Sequence, residues 1–188
     1  EGLTRDLDLI PHVTCKDHNT AAIAGSLAAY KAMGVQTLLV LTGDRPVSAK
    51  GVYEVESIGA LRMIARMNNE ALIKADPARI AQAHRFFTGA AVSPFKYTEP
   101  SLVQQYDKME KKVACGAGFL ITQVGWDWRK SQELFQVLQE RGLHVPVLGN
   151  VYLLSTRTAA PRLMHDGKLT GCFVSDDLLA KVYADPKT

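Results

Sequence analysis

The chain has 188 residues, a formal charge of +3, 47% apolar and 22% charged side chains, values that suit one globular domain with a buried core and exclude a disordered one. No apolar run reaches the roughly 18 residues of a membrane span. The start, Glu1–Asp8, is charged and lacks a signal-peptide core, and the basic residues are dispersed apart from Lys108, Lys111 and Lys112. This reads as a cytoplasmic protein with neither nucleic acid nor a membrane as partner.

Leu9–Thr14 is a short β-compatible run, and Thr20–Met33 follows as a helix with Ile23, Leu27 and Tyr30 on one face and Gly34 as its C-cap. Thr37–Leu41 is almost continuously apolar, the pattern of a strand buried on both faces of a parallel sheet. A Gly-, Pro- and Asp-rich loop leads to a helix over Ser57–Met67, and Pro77 is placed to open another through Ala83. Phe86–Val92 reads as a strand, Ser101–Cys115 as a helix, and Phe119–Val124 as a strand. Lys130–Arg141 is a helix, Val145–Leu148 a strand, and Ala159–His165 a helix. Ser175 caps a last helix with Asp176 and Asp177 in its first turn.

This rhythm gives about five strand–helix units of roughly 30 residues, the βαβ scale. It defines the α/β class with a parallel sheet, and nothing marks a linker, so one domain is expected over 1–188. An open doubly wound sheet and part of a barrel both fit. A complete (β/α)8 barrel takes about 250 residues, more than are present.

In either architecture ligands bind beyond the C-terminal ends of the strands. Those positions hold His12, Thr14, Cys15 and Asp17, then Thr42–Arg45, Gly89–Pro94, Thr122–Trp126, and finally Gly149, Asn150 and Tyr152. They offer small residues, a carboxylate, an amide and an imidazole. They do not offer a Ser–His–Asp set, a phosphate loop or a metal cluster; the three cysteines, Cys15, Cys115 and Cys172, are far apart, and the five histidines are scattered. A bound organic cofactor is the expectation that remains.

Five segments carry a resemblance: Pro11–Cys15, Leu41–Pro46, Gly89–Phe95, Lys112–Gly118 and Ile121–Gln123. In order and spacing they resemble the successive strand-end motifs of the methylenetetrahydrofolate reductases, over roughly residues 6–150. The family implies a TIM-type (β/α)8 barrel that binds FAD and reduces methylenetetrahydrofolate to methyltetrahydrofolate with NAD(P)H. By register the chain runs from the third to the seventh barrel strand, so the expected fold is an incomplete barrel.

Carried over by the resemblance, His12 is a flavin contact. Leu41, Thr42, Gly43 and Asp44 lie along the flavin ring. Asp44 also tunes the flavin and holds the pterin, which makes it the catalytic candidate. Ala90 and Ala91 face the ribityl and adenine side, Lys112 the cofactor phosphates, and Gln123 the folate. The chain departs from the pattern at Val92, where many members have Tyr, at Lys96, where they have His, and at Gln105 and Lys108, which replace an acid and an amide. No counterpart of the family's first-strand glutamate, the general acid, precedes His12. Two other readings follow from these departures: a non-catalytic folate- or flavin-binding subunit partnering a methyltransferase, and an inactive truncated relative. The open sheet edges of a partial barrel also make a homo-oligomer or a partner subunit an expectation.

Overall fold

Strand and helix alternate along the chain as the apolar pattern requires. A computed structural model describes residues 8–44, 48–74, 83–96, 98–169 and 171–184. The elements are β1 (His12–Thr14), α1 (Thr20–Ala32), β2 (Thr37–Leu41), α2 (Ser57–Lys74), β3 (Phe87–Val92), α3 (Glu99–Ala114), β4 (Ala117–Thr122), α4 (Trp128–Glu140), β5 (Val147–Leu148), α5 (Ala160–His165) and α6 (Asp176–Ala184).

The strands form one sheet in the order β1-β2-β3-β4-β5. The registered pairs are parallel: His12 lies opposite Leu39, Val40 opposite Ala90, and Leu120 opposite Val147. A doubly wound sheet reverses its strand order at a switch point. Here each strand lies next to its predecessor throughout, which is the order of a (β/α) barrel wall. The sheet is therefore an incomplete barrel of five strands, with β1 and β5 at its edges.

By its contacts the chain divides into two compact units, one reaching to Ala91 with Lys111–Phe119, the other holding Val92–Glu110 with the residues from Leu120 onward. In the first, Leu38, Leu39 and Val40 of β2 are all buried, as a strand covered on both faces must be. α2 packs on β2 and contributes buried Leu61 and Ile64. α1 buries only Ile23 and Leu27. Asn19 caps it, its side chain accepting from the Ala22 N–H at 2.8 Å, and Gly34 closes it at φ +76°. In the second unit α5 packs against α6. Leu154, Met164, Val174 and Val182 form its core cluster, with Trp126 and Leu178 against it.

The element boundaries depart from the sequence pattern for identifiable reasons. α2 continues seven residues past Met67 to Lys74, through Asn68 and Asn69. Asn68 is no breaker, because its amide accepts from the Phe86 N–H at 2.8 Å and donates to the Phe86 carbonyl at 2.9 Å. The strands β1 and β5 are shorter than expected because a proline precedes each pairing run. Pro11 and Pro146 lack an N–H and only accept, from Leu39 and Leu120. The helix expected from Pro77 falls mostly on residues outside those described, and Ala83 lies in a bend.

Candidate functional site

Beyond the C-terminal ends of β1 and β2, backbone pairing continues. The Cys15 N–H donates to the Leu41 carbonyl at 3.0 Å and the Lys16 N–H to the Thr42 carbonyl at 2.9 Å. Leu41 closes β2 half-buried. Thr42 then turns its hydroxyl to α2, where Oγ1 accepts from the Ser57 N–H at 3.2 Å and lies 3.1 Å from Ser57 Oγ. That satisfies an orphan donor at the start of the helix. Gly43 follows at φ +90°, and a Cβ there would sit 2.8 Å from Lys16 Cβ, so both conformation and space require glycine.

Asp44 is exposed. Its backbone carbonyl accepts from the Tyr53 hydroxyl at 3.2 Å, while its carboxylate has no partner among the described residues. The neighbouring Asp17, by contrast, is structural. It stands at φ 60°, its Oδ1 accepts from the Val52 N–H at 2.9 Å, and its own N–H donates to the Val52 carbonyl.

His12 occupies the first position of β1, opposite Leu39 in the middle of β2. Asp44 stands five residues beyond Leu39, and a strand rises about 3.3 Å per residue. The sequence pattern put His12 and Asp44 together at the strand ends; the register leaves His12 well below that level. Its exposed ring lines a small cleft of about 130 Å³ with Ser26 and Tyr30 of α1. Cys15, which does reach the strand end, is fully buried, and its thiol pKa is raised by burial and then by the charge of Glu56.

At the end of β3, Ala90 is fully buried and Ala91 half-buried. The Lys112 ammonium donates to the Ala91 carbonyl at 2.7 Å. Gly89 leaves room for an aromatic ring: a Cβ there would meet the Phe119 ring at 2.2 Å.

In the second unit, Ser93 Oγ is buried without a partner among the described residues. Gln123 follows β4 directly. Its N–H donates to the Val92 carbonyl at 2.8 Å and its Oε1 accepts from the Val124 N–H at 2.8 Å. Its amide also packs on Gly171, where a Cβ would come within 2.8 Å of Nε2. Trp126 is fixed by its indole N–H on the Tyr152 carbonyl at 3.0 Å. The sequence reading did not single out Phe95, Phe173 or Lys181, which line a cavity with Trp126. An aromatic residue just past β3 was a signal for Phe95; Phe173 lies between α5 and α6 and Lys181 within α6, where no local pattern marks them. No cluster of metal ligands occurs among the described residues, and no helix among them is long and apolar enough to cross a membrane.

A parallel sheet in sequential strand order defines a protein of the (β/α) barrel type. The methylenetetrahydrofolate reductase family profile matches residues 3–186, and the chain belongs to that family. A probable methylenetetrahydrofolate reductase (NADPH) of Caenorhabditis elegans is 25% identical over 146 residues, which cover 77% of this chain but 20% of that protein. Among solved structures, an uncharacterised protein from Clostridium thermocellum that binds two copies of 5-methyl-5,6,7,8-tetrahydrofolic acid matches with TM-score 0.50 and 11% identity, over 93% of this chain and 75% of that one. The apo homocysteine methyltransferase MmuM from Escherichia coli aligns with TM-score 0.43 and 16% identity, over 94% of this chain and 69% of its own.

Proposed function

We propose that this chain is the folate-facing wall of a flavin-dependent oxidoreductase that reduces 5,10-methylenetetrahydrofolate to 5-methyltetrahydrofolate with NAD(P)H. The observation that carries the reading is Asp44: an exposed carboxylate without a protein partner among the described residues, next to side-chain-free Gly43 at the end of a buried strand. Membership of the family supports the reaction class. The folate-binding protein of similar fold supports a folate as ligand.

On the ring side the residue that fits FAD is Asp44, an exposed carboxylate without a partner among the described residues. On the phosphate side the proposed contact is Lys112, whose ammonium is held on the Ala91 carbonyl at 2.7 Å. When bound, the flavin supplies the hydride transfer from nicotinamide to folate that no side chain here performs. Asp44 disfavours added negative charge on a ring it faces, which lowers the reduction potential, and it accepts from the pterin N–H groups. Gln123, directly after β4, is the proposed folate contact.

A second reading, a folate-binding subunit without its own redox chemistry, is favoured by the protein contacts of Thr42 and Lys112 and by Lys96 at the family's histidine position. Visible absorbance of the purified full chain titrated with FAD separates the two. A bound-flavin spectrum, with methylenetetrahydrofolate reduction reduced about tenfold or more in Asp44→Ala, supports the reductase. Undiminished reduction by Asp44→Ala sinks it, and folate binding with no flavin uptake selects the second reading.

A further inference from the structure

The segment that carries Asp44 is tied to the loop after β1. The Lys16 N–H donates to the Thr42 carbonyl at 2.9 Å, and Lys16 Cβ lies against the bare face of Gly43. One residue on, Asp17 turns the chain at φ 60°, a left-handed conformation that Asp and Asn tolerate better than other side chains. An aspartate that serves only its own turn bonds to the backbone two residues on. Asp17 bonds 35 residues away: its Oδ1 accepts from the Val52 N–H at 2.9 Å. Its N–H donates to the Val52 carbonyl at 2.8 Å, so one residue holds both backbone groups of Val52. Its Oδ2 meets only Lys16 Nζ at 3.8 Å, an exposed pair of little weight.

Glu54, two residues past Val52, is anchored as well. One carboxylate oxygen accepts from the Thr20 N–H at 3.2 Å and the other from the Thr20 hydroxyl at 2.9 Å. Tyr53 stands between these two held residues, and its hydroxyl donates to the Asp44 carbonyl at 3.2 Å. A series of contacts thus runs from Asp17 through Val52 and Tyr53 to the Asp44 backbone. The Asp44 carboxylate has no partner among the described residues. A group that meets a ligand needs its backbone fixed, because a misplacement of about 1 Å can cost on the order of a hundredfold in rate.

We infer that Asp17 is a positioning residue: it fixes Val52 and, through Tyr53, the backbone that presents Asp44. This rests on the reading of Asp44 as the ligand-facing carboxylate.

Two substitutions separate the parts played by Asp17. Asp17→Asn keeps the Oδ1 acceptor and suits the left-handed backbone. Asp17→Gly keeps that backbone and removes the acceptor. Both are compared with Tyr53→Phe in the full chain, with circular dichroism as the check on folding. The first readout needs no ligand. Backbone order parameters at Gly43 and Asp44 are expected to fall from about 0.85 toward 0.6 in Asp17→Gly and Tyr53→Phe, and to hold in Asp17→Asn. The second is calorimetric titration with 5-methyltetrahydrofolate. Affinity is expected to drop about tenfold in Asp17→Gly, to be kept in Asp17→Asn, and to drop no further when Tyr53→Phe is added to Asp17→Gly. Unchanged order parameters in Asp17→Gly would overturn the inference, as would an equal loss of affinity in Asp17→Asn. Wild-type folate affinity in Asp44→Ala would instead remove the reading of Asp44, with the order parameters still deciding what Asp17 holds.

Discussion

The Lys112 ammonium and the Ala91 carbonyl meet at 2.7 Å, joining the last turn of α3 to the end of β3. A charge-assisted bond of this kind contributes more than a neutral one. Lys112→Met keeps most of the stem's packing and removes the donor. It is expected to lower stability by about 1–2 kcal/mol, read as a smaller urea midpoint with an unchanged slope. A midpoint equal to wild type would make this contact incidental.

Gly89 and Phe119 form a second pair whose cost can be measured. A methyl at Gly89 would overlap the Phe119 ring, so Gly89→Ala forces the ring out of place. The expected loss is about 1–3 kcal/mol, the usual range for overpacking. Phe119→Leu in the Gly89→Ala background should cost less than the sum of the two single changes, because the clash is then relieved. A double-mutant cycle with no coupling would contradict the geometry.

Tyr106 predicts a particular alkaline behaviour. It is buried, with its hydroxyl 3.1 Å from Glu133 Oε1. Burial, then the charge and hydrogen bond of Glu133, then the charge of Glu99, raise its pKa well above the ordinary value. An unfolded tyrosine ionises near pH 10. Above that pH the unfolded chain loses this proton and the folded one keeps it. The contribution to stability is thus whole below about pH 10 and is lost as pH rises toward the folded pKa. Lys130, whose pKa is raised foremost by its bond to Glu133, acts in the same sense. Stability measured above about pH 10 should therefore fall less steeply in Tyr106→Phe than in wild type. Identical slopes would show that the phenol titrates normally.

Much of the fold was legible because β2 and the helix faces carry local signals. Thr37–Leu41 had the bounds its apolar run implied, and Gly34 marked the end of α1. The site was less legible because its contacts are not local. Nothing near Thr42 announces that its hydroxyl serves Ser57, 15 residues away, or that Gln123 will lie on Gly171. His12 was read with the strand-end residues although β1 runs on from it to Thr14. The register with β2, which a single strand does not reveal, sets His12 opposite Leu39, two positions short of the strand end. Phe95 and Phe173 come to one cavity only through the packing of the second unit.

The strand order has a kinetic consequence. Every strand after the first lies next to the strand made just before it. No pairing waits for a distant part of the chain, so the loops to be closed are short and contact order is modest for a parallel sheet. A chain emerging from the ribosome in this order adds each new strand to an edge already in place. The growing edge is always the newest strand, so each new strand meets a partner that has just formed.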